Sequence, residues 1–236
     1  MLHFACWVKK DWCYNENVIG SNGVNHELEN FFSAFPTLTY GKKEHILRPH
    51  QPITQVCFLK SGYIRQYSIS ANGNEFTLNI FKPGSILFFI QLLHGEENNY
   101  YFQAFTTAEV YTAKYEPTLE FLTSHPLVTL NILKRIGQGL NRFLAQVESM
   151  TFCGSREKLA TTLLILSMRF GRKNKNMVLI DLPLTHYDLA CMIGVSRETV
   201  SMEIKRLERA KIVERHQRHI FCINPEKIKE IATIRD

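Results

Sequence analysis

Arg197 and Glu198 stand together at the start of a stretch in which capping and apolar residues follow helical spacing. An arginine can donate two hydrogen bonds to O6 and N7 of a guanine, and a glutamate can accept one from N4 of a cytosine. This is the chemistry of reading base edges in the major groove of duplex DNA. We therefore interpret both side chains as base readers, together with Ser201 and Met202, which fall on the same helix face.

Two helices joined by a turn are predicted to position these side chains. Thr185 and Asp188 have the spacing of a capping box, which predicts a helix start, and Gly194 can end that helix in the left-handed conformation. Ser196 can then cap the second helix. The buried face of the second helix is predicted to consist of Val200, Ile204 and Leu207.

Polar and basic residues around these helices suit contacts with the DNA backbone, which set the register without reading sequence. The predicted phosphate contacts are Thr185, His186, Ser196, Thr199, Lys205, Arg206 and Arg218. Residues 211–223 have the pattern of two strands around a basic tip that includes Arg215, which predicts a winged helix. The alternative is an exposed amphipathic helix without a ligand.

The charge of the chain is concentrated near its C-terminus. Residues 155–236 contain 16 of the 28 Lys and Arg but 10 of the 22 Asp and Glu, so the preceding part is balanced. A basic domain beside a neutral one is typical of proteins that bind a polyanion. Within this basic part, we expect residues 155–170 to form a helix and residues 171–176 to form a surface loop.

Composition and cysteine spacing narrow the class of protein. Hydrophobic residues make up 45% and charged residues 21% of the chain, which is typical of a globular fold. The six cysteines lack metal-ligand spacing, so we expect no metal and no cofactor. No apolar run approaches the roughly 20 residues that span a bilayer, and no secretory signal is present, so we expect a cytoplasmic protein without a membrane partner.

The part of the chain before the helices alternates β-rich runs with turn signals, from about residue 43 to residue 115, as in a small sandwich or barrel. Asn72 and Gly73 predict a hairpin with a primed turn, and residues 86–90 predict a buried strand. From Glu116 the apolar spacing becomes helical, with two stripes. We expect one stripe to form a dimer seam, the alternative being burial of both within a monomer. The dimer stripe is Leu133, Leu140, Leu144 and Val147.

Residues 194–201, with the sequence Gly-Val-Ser-Arg-Glu-Thr-Val-Ser, closely resemble the helix-turn-helix signature of the Crp/Fnr superfamily of transcription regulators. The turns around Gly62, Gly73 and Gly84 are similar to those of the jelly-roll sensor domain in that family. The resemblance covers the chain from about residue 28 and implies an α+β fold. This fold has an N-terminal β jelly-roll of the cyclic-nucleotide-binding type, a long dimerisation helix and a C-terminal winged helix-turn-helix.

The resemblance also implies a domain organisation and partners. The predicted domains are an N-terminal extension (1–27), a jelly-roll sensor domain (28–118), a dimerisation helix region (119–153) and a DNA-binding domain (154–236). The implied partners are a palindromic operator in double-stranded DNA, a second copy of the chain, RNA polymerase and a small-molecule effector. The implied function is that of a transcription regulator, either an activator or a repressor.

Two departures from the family pattern bear on ligands. Met202 stands where family members usually have arginine. Phe88-Phe89 and Asn98-Asn99 stand in about the places where members that bind cyclic nucleotides have Gly-Glu and Arg-Ser. We therefore expect no cyclic AMP. A pocket for another effector is predicted near Phe88, Phe89, Asn98, Asn99 and Tyr101, although the same aromatic residues can instead fill the β-core.

Two further hypotheses remain open at this stage. A jelly-roll metalloenzyme of cupin type with an appended winged helix is the alternative class, although the H-x-H pair that such enzymes generally need is absent from the sequence. Regulation by redox state is an alternative to an effector. It would pair Cys6 or Cys13 with Cys153 or Cys191.

Overall fold

The computed structural model describes residues 21–95, 97–217 and 220–232, which belong to two compact units. One unit ends at Ile136 and the other begins at Gly137, so the division falls inside a single long helix. The first elements are α1 (Ser21–Ser33), β1 (Thr37–Tyr40), β2 (His45–Leu47), β3 (Val56–Ser61), β4 (Ile64–Ile69), β5 (Glu75–Phe81), β6 (Ile86–Leu87), α2 (Phe89–His94), β7 (Tyr101–Ala104), β8 (Ala108–Ala113), α3 (Tyr115–Ser124) and α4 (Pro126–Phe152). They are followed by α5 (Ser155–Phe170), β9 (Gly171–Asn174), β10 (Met177–Ile180), α6 (His186–Ile193), α7 (Arg197–Arg209), β11 (Val213–Gln217), β12 (Ile220–Ile223) and α8 (Pro225–Lys229).

Two antiparallel sheets build the β-sandwich of the first unit. Their strand orders are β1-β8-β3-β6 and β2-β7-β4-β5. Because side chains alternate along a strand, each sheet can turn one apolar face toward a shared core. That core contains Cys57, Leu59, Ile64, Leu87, Phe88, Phe102, Ala104, Ala108 and Val110. The predicted N-terminal β-sandwich is confirmed.

Helices cover the outer face of the sheet that contains β3 and β8. Phe32 of α1 stacks on Phe58 of β3 with ring centroids 5.0 Å apart, and Phe31 stacks on Phe121 of α3 at 4.1 Å. Val128, in the first turn of α4, belongs to the same apolar cluster and is fully buried. The N-terminal end of α4 is therefore anchored to the β-sandwich.

The hairpin predicted at residues 72 and 73 connects β4 to β5, but its turn differs from the expected one. Only Gly73 has a positive φ, of 78°, and its N–H donates to the carbonyl of Ser70 at 2.9 Å. A primed turn would need a positive φ at Asn72 as well. The prediction of a hairpin is correct, and the prediction of a primed turn is wrong.

The apolar run at residues 86–90 is only partly a strand. β6 ends at Leu87, Phe88 takes a left-handed conformation with φ 70°, and α2 begins at Phe89. This bend directs the Phe88 ring into the sandwich core, where the residue is 5% exposed. The predicted strand is therefore wrong beyond Leu87. An apolar run this short does not distinguish a strand from a buried helix.

A glycine between β3 and β4 gives a sharp test of this packing. Gly62 has a φ of +78°, and a Cβ there would overlap the carbonyl oxygen of Thr107, whereas Gly73 has the same φ and open space around it. We expect Gly62→Ala to lower the free energy of unfolding by about 3 kcal/mol or more. The control Gly73→Ala should cost about 1 kcal/mol, from backbone strain alone. Chemical denaturation followed by circular dichroism measures both, and equal losses would contradict the close approach.

The second unit packs helices against a sheet with the strand order β11-β12-β10-β9. The predicted helix over residues 155–170 is confirmed, with its apolar face buried. Residues 171–176 are not a loop, because β9 pairs with β10 through a turn in which Lys175 has a φ of 54°. The side chains at positions 172–174 are exposed. The sequence of this edge strand therefore lacks the alternation of apolar and polar residues that would have predicted a strand.

Candidate nucleic-acid interface

The first helix of the predicted helix-turn-helix begins at a complete capping box. The backbone N–H of Asp188 donates to Oγ1 of Thr185 at 3.1 Å, and the backbone N–H of Thr185 donates to Oδ2 of Asp188 at 2.7 Å. At the other end Gly194 has a φ of 66°, and its N–H donates to the carbonyl of Ala190 at 2.9 Å. The predicted start and end of α6 are confirmed.

The second helix, α7, is capped and oriented as predicted. Oγ of Ser196 accepts a hydrogen bond from the backbone N–H of Thr199 at 3.1 Å. Three apolar residues on the inner face are 0% exposed, and they are Val200, Ile204 and Leu207. Burial of these three side chains fixes the rotation of α7, so its opposite face points away from the core of the unit.

A buried carboxylate accompanies this apolar face. Glu203 is 4% exposed, and its Oε1 accepts a hydrogen bond from Nη1 of Arg206 at 2.8 Å. Sequence reasoning missed Glu203, because a glutamate in an amphipathic helix is usually solvated. The ion pair also engages Arg206, one of the predicted phosphate contacts.

All four predicted base readers lie on α7, and three of them are exposed. Arg197 and Glu198 are exposed in its first turn, Met202 is 54% exposed, and Ser201 is partly buried. Lys205 is exposed one turn further along. The arrangement presents two opposite charges, a hydroxyl and an apolar side chain from a single rigid helix, which is the composition needed to read base edges.

Several predicted phosphate contacts already serve the protein itself. The hydroxyls of Thr185 and Ser196 act as helix caps, and Oγ1 of Thr199 lies 2.9 Å from Oγ of Ser196. Arg218 lies outside the described residues. The N-termini of α6 and α7 both carry backbone N–H groups and the positive end of a helix dipole, which favour an anion such as phosphate.

His186 connects the helices to the wing. Its Nδ1 lies 2.7 Å from Oγ of Ser201 in α7, and its Nε2 lies 2.9 Å from Nη2 of Arg215 in β11. Nε of Arg215 also contacts Oε1 of Glu208 at 3.1 Å. Arg215, part of the predicted basic tip, therefore contacts both α6 and α7. No local signal could reveal these contacts, since the residues are far apart in sequence.

The predicted effector residues are distributed over different parts of the β-sandwich. The rings of Phe88 and Phe102 pack edge to face in the core, 4.8 Å apart, whereas Phe89 stacks on Tyr115 in the cluster beneath the helices. Tyr101 stacks on Tyr67 at 5.0 Å. The structure therefore does not bring Phe88, Phe89 and Tyr101 together around one cavity.

The two asparagines predicted for the same pocket also differ in their surroundings. The side-chain amide of Asn98 is 2% exposed and donates to the carbonyls of Arg48 at 2.9 Å and Tyr100 at 2.7 Å. Asn99 is exposed. Asn98 therefore holds two backbone segments together and has no amide N–H left for a ligand.

The predicted dimer stripe is exposed along α4. Its members are Leu133 (62% exposed), Leu140 (56%), Leu144 (54%) and Val147 (43%). The second predicted stripe is only partly packed, because Ile132 contacts the cluster beneath α1 and α3 whereas Ile136 and Phe143 are 43% and 48% exposed. Helix α4 thus carries a long apolar face that no described residue covers.

The thiols, the candidate metal ligands and the helices bear on three other kinds of site. Burial raises the pKa of Cys57 to about 12, so this thiol stays protonated and unreactive at neutral pH. Cys6 and Cys13 lie outside the described residues. The described ranges contain no cluster of three or more His, Cys, Asp or Glu side chains that could hold a metal ion. None of their helices combines the length and apolar character needed to cross a bilayer.

Two family models match the chain. Residues 157–231 match the Crp-like helix-turn-helix domain, and residues 37–125 match the cyclic nucleotide-binding domain. The chain is thus built from a cyclic-nucleotide-binding β-sandwich followed by a Crp-like DNA-binding domain.

Curated relatives agree with this class. The chain is 26% identical to the global nitrogen regulator of Nostoc over 81% of its own length and 88% of that protein. It is 21% identical to the fumarate and nitrate reduction regulatory protein of Vibrio cholerae over 82% of its length and 77% of that protein.

Solved structures support the fold. CooA from Carboxydothermus hydrogenoformans, solved as a mutant, matches with a TM-score of 0.73 and 24% identity, over 86% of this chain and 93% of that one. FixK2 from Bradyrhizobium japonicum matches with a TM-score of 0.72 and 18% identity, over 86% and 99%. The predicted α+β fold class is confirmed.

The arrangement of a sensor-type β-sandwich, a long helix and a winged helix-turn-helix defines a DNA-binding transcription regulator. The chain belongs to the Crp/Fnr superfamily, as the resemblance at residues 194–201 predicted. The comparisons give no support to the alternative of a cupin-type metalloenzyme.

Proposed function

We propose that this protein binds a palindromic operator as a homodimer and reads its sequence through Arg197 and Glu198 at the start of α7. The observation that carries this proposal is the orientation of α7. Val200, Ile204 and Leu207 are fully buried, which leaves the Arg-Glu pair exposed at a capped helix N-terminus. A recognition helix contacts base edges with its N-terminal residues.

The individual roles follow from chemistry and position. Arg197 donates to O6 and N7 of a guanine, and Glu198 accepts from N4 of a cytosine. Ser201 hydrogen-bonds a base edge, and Met202 makes apolar contact, for which the methyl group of a thymine is suited. The phosphate contacts are proposed to come from Ser196, Thr199, Lys205, Arg206 and Arg218. The O–H of Thr185 donates to Oδ2 of Asp188, so this side chain has no donor left for a phosphate. The two ring nitrogens of His186 contact Ser201 and Arg215.

Dimerisation is proposed to use the exposed stripe on α4. The leucine and valine side chains of this stripe are about half exposed to water, which is unfavourable for apolar surface. Packing the stripe against the same helix of a second copy would bury that surface and stabilise a dimer. A two-fold dimer would present two copies of α7 to two half-sites about one helical turn, or 34 Å, apart. This geometry explains why the proposed operator is palindromic.

The β-sandwich is proposed to gate DNA binding in response to an effector other than cyclic AMP. Phe88 fills the core with its ring, and the amide of Asn98 is committed to two backbone carbonyls. Neither residue offers the carboxylate or the cation that a ribose hydroxyl and a cyclic phosphate would need. Redox gating is the second candidate, through a pairing of Cys6 or Cys13 with Cys153 or Cys191. In that case reductant and oxidant would change DNA affinity.

The remaining partners follow from the function. A regulator of transcription acts where the chromosome lies, so we place the protein in the cytoplasm. Activation further requires contact with RNA polymerase, which the family membership supports.

Selection of bound fragments from a random duplex library tests the proposal. We expect a two-fold symmetric consensus, with an affinity that falls about 100-fold or more between 50 and 200 mM salt because several phosphates are neutralised. Cyclic AMP should leave this affinity unchanged. Recovery of unrelated sequences, with no consensus, would contradict sequence-specific binding.

A further inference from the structure

The contacts of His186 have a direction that follows from chemistry alone. A guanidinium has only N–H donors, so Nη2 of Arg215 must donate to Nε2 of His186 across their 2.9 Å separation. Nε2 therefore carries no proton, and in the neutral imidazole the proton resides on Nδ1. Nδ1–H then donates to Oγ of Ser201, 2.7 Å away. The hydrogen bonds thus run from Arg215 through His186 to Ser201.

This direction decides what Ser201 can offer to DNA. A serine hydroxyl has one donor and two acceptor lone pairs. Oγ of Ser201 already accepts a hydrogen bond from His186. The strongest hydrogen bond that Ser201 can still make with a ligand is therefore the one that its own O–H donates. Donation from a cation at the far end polarises the chain of hydrogen bonds and strengthens the last donor.

We propose that Arg215 and His186 are positioning residues that make Ser201 a hydrogen-bond donor to an acceptor on the major-groove edge. The acceptors available there are purine N7, guanine O6 and thymine O4. This inference rests on the proposed function, because it assumes that α7 enters the groove. It adds a specificity role for a wing residue, Arg215, that contacts His186 of α6 and Glu208 of α7.

The surroundings of His186 hold this arrangement in place. The ring of Phe221 in β12 stacks on the imidazole, with ring centroids 6.3 Å apart. Oε1 of Glu208 in α7 lies 3.1 Å from Nε of Arg215. Phe221 contributes no charge, and the carboxylate of Glu208 keeps the guanidinium oriented. Arg215, His186 and Ser201 therefore form one relay of hydrogen bonds between the wing and α7.

Two variants at position 186 separate a relay from simple packing. In His186→Gln, the amide oxygen can accept from Arg215 and the amide N–H₂ can donate to Ser201, so the direction is kept without a titratable group. In His186→Leu both hydrogen bonds are lost. Fragment selection with Ser201→Ala first identifies the base pair that Ser201 contacts, because the preference at that pair changes. Fragment selection with each full-length variant at position 186 then measures the preference at the same base pair.

We expect His186→Leu and Arg215→Leu to lower discrimination at that base pair roughly three- to tenfold, the worth of one hydrogen bond, and to spare the other positions. His186→Gln should retain it.

The outcomes are distinguishable from those of the proposed function. If the wild type selects a consensus and His186→Leu keeps every preference, the relay is wrong. If His186→Gln loses the preference as fully as His186→Leu does, the proposed direction of the hydrogen bonds is also wrong. If no consensus emerges from the wild type, the proposed function itself fails and the relay with it. Thermal unfolding shows whether His186→Leu is folded. If it is not, Arg215→Leu tests the same relay through its other hydrogen bond.

Discussion

In the Arg197→Ala variant, the ratio of affinities for the selected operator and a scrambled duplex is expected to fall at least about tenfold. Arg197 is exposed in the first turn of α7, and its proposed bidentate contact with guanine has no substitute on this helix face. Weak binding to any duplex should survive, because the phosphate contacts remain. Fluorescence anisotropy with both duplexes at one salt concentration measures the ratio.

Arg209→Ala is the matched control for this prediction. Arg209 is also exposed on α7 but lies at its last residue, away from the N-terminal turn. Its removal deletes the same charge and should lower the affinity for both duplexes by the same factor. A preference that survives Arg197→Ala unaltered would show that α7 is not the reading element.

Placing glutamates at Leu140 and Leu144 together is expected to convert the protein to a monomer. Both leucines are more than half exposed within one chain, so the charges should be tolerated by the folded protomer but not by an apolar seam between two copies. Operator affinity should drop by about 100-fold or more, since each α7 would then bind its half-site alone. Sedimentation equilibrium and anisotropy measure the two effects.

The control for the seam is Gln138→Glu, an exposed polar position on the same helix. This variant adds a negative charge to α4 without touching the apolar stripe, and it should remain dimeric with nearly wild-type affinity. If the double variant at positions 140 and 144 keeps the wild-type mass, the stripe on α4 is not the dimer interface.

Local signals allowed the helix-turn-helix to be predicted closely from sequence. The cap at Thr185, the left-handed Gly194 and the cap at Ser196 each depend on residues within a few positions of one another. The spacing of the buried side chains on α7 is equally local. For this reason the boundaries and rotation of α6 and α7 agree with the expectation.

Features that depend on distant residues or on unusual backbone were not predictable in the same way. Phe88 takes a positive φ that sequence disfavours for an aromatic residue, because the sandwich core accepts its ring. Glu203 is buried where a solvated side chain is expected, and Arg215 turns toward His186, 29 positions earlier in the chain. These three features are consequences of tertiary packing.

The structure of the full chain bound to its selected duplex tests the central claim most directly. We predict that the guanidinium of Arg197 lies within about 3 Å of O6 and N7 of a guanine in each half-site, with α7 in the major groove. An α7 that lies outside the groove, or an Arg197 that touches only phosphates, would contradict the account.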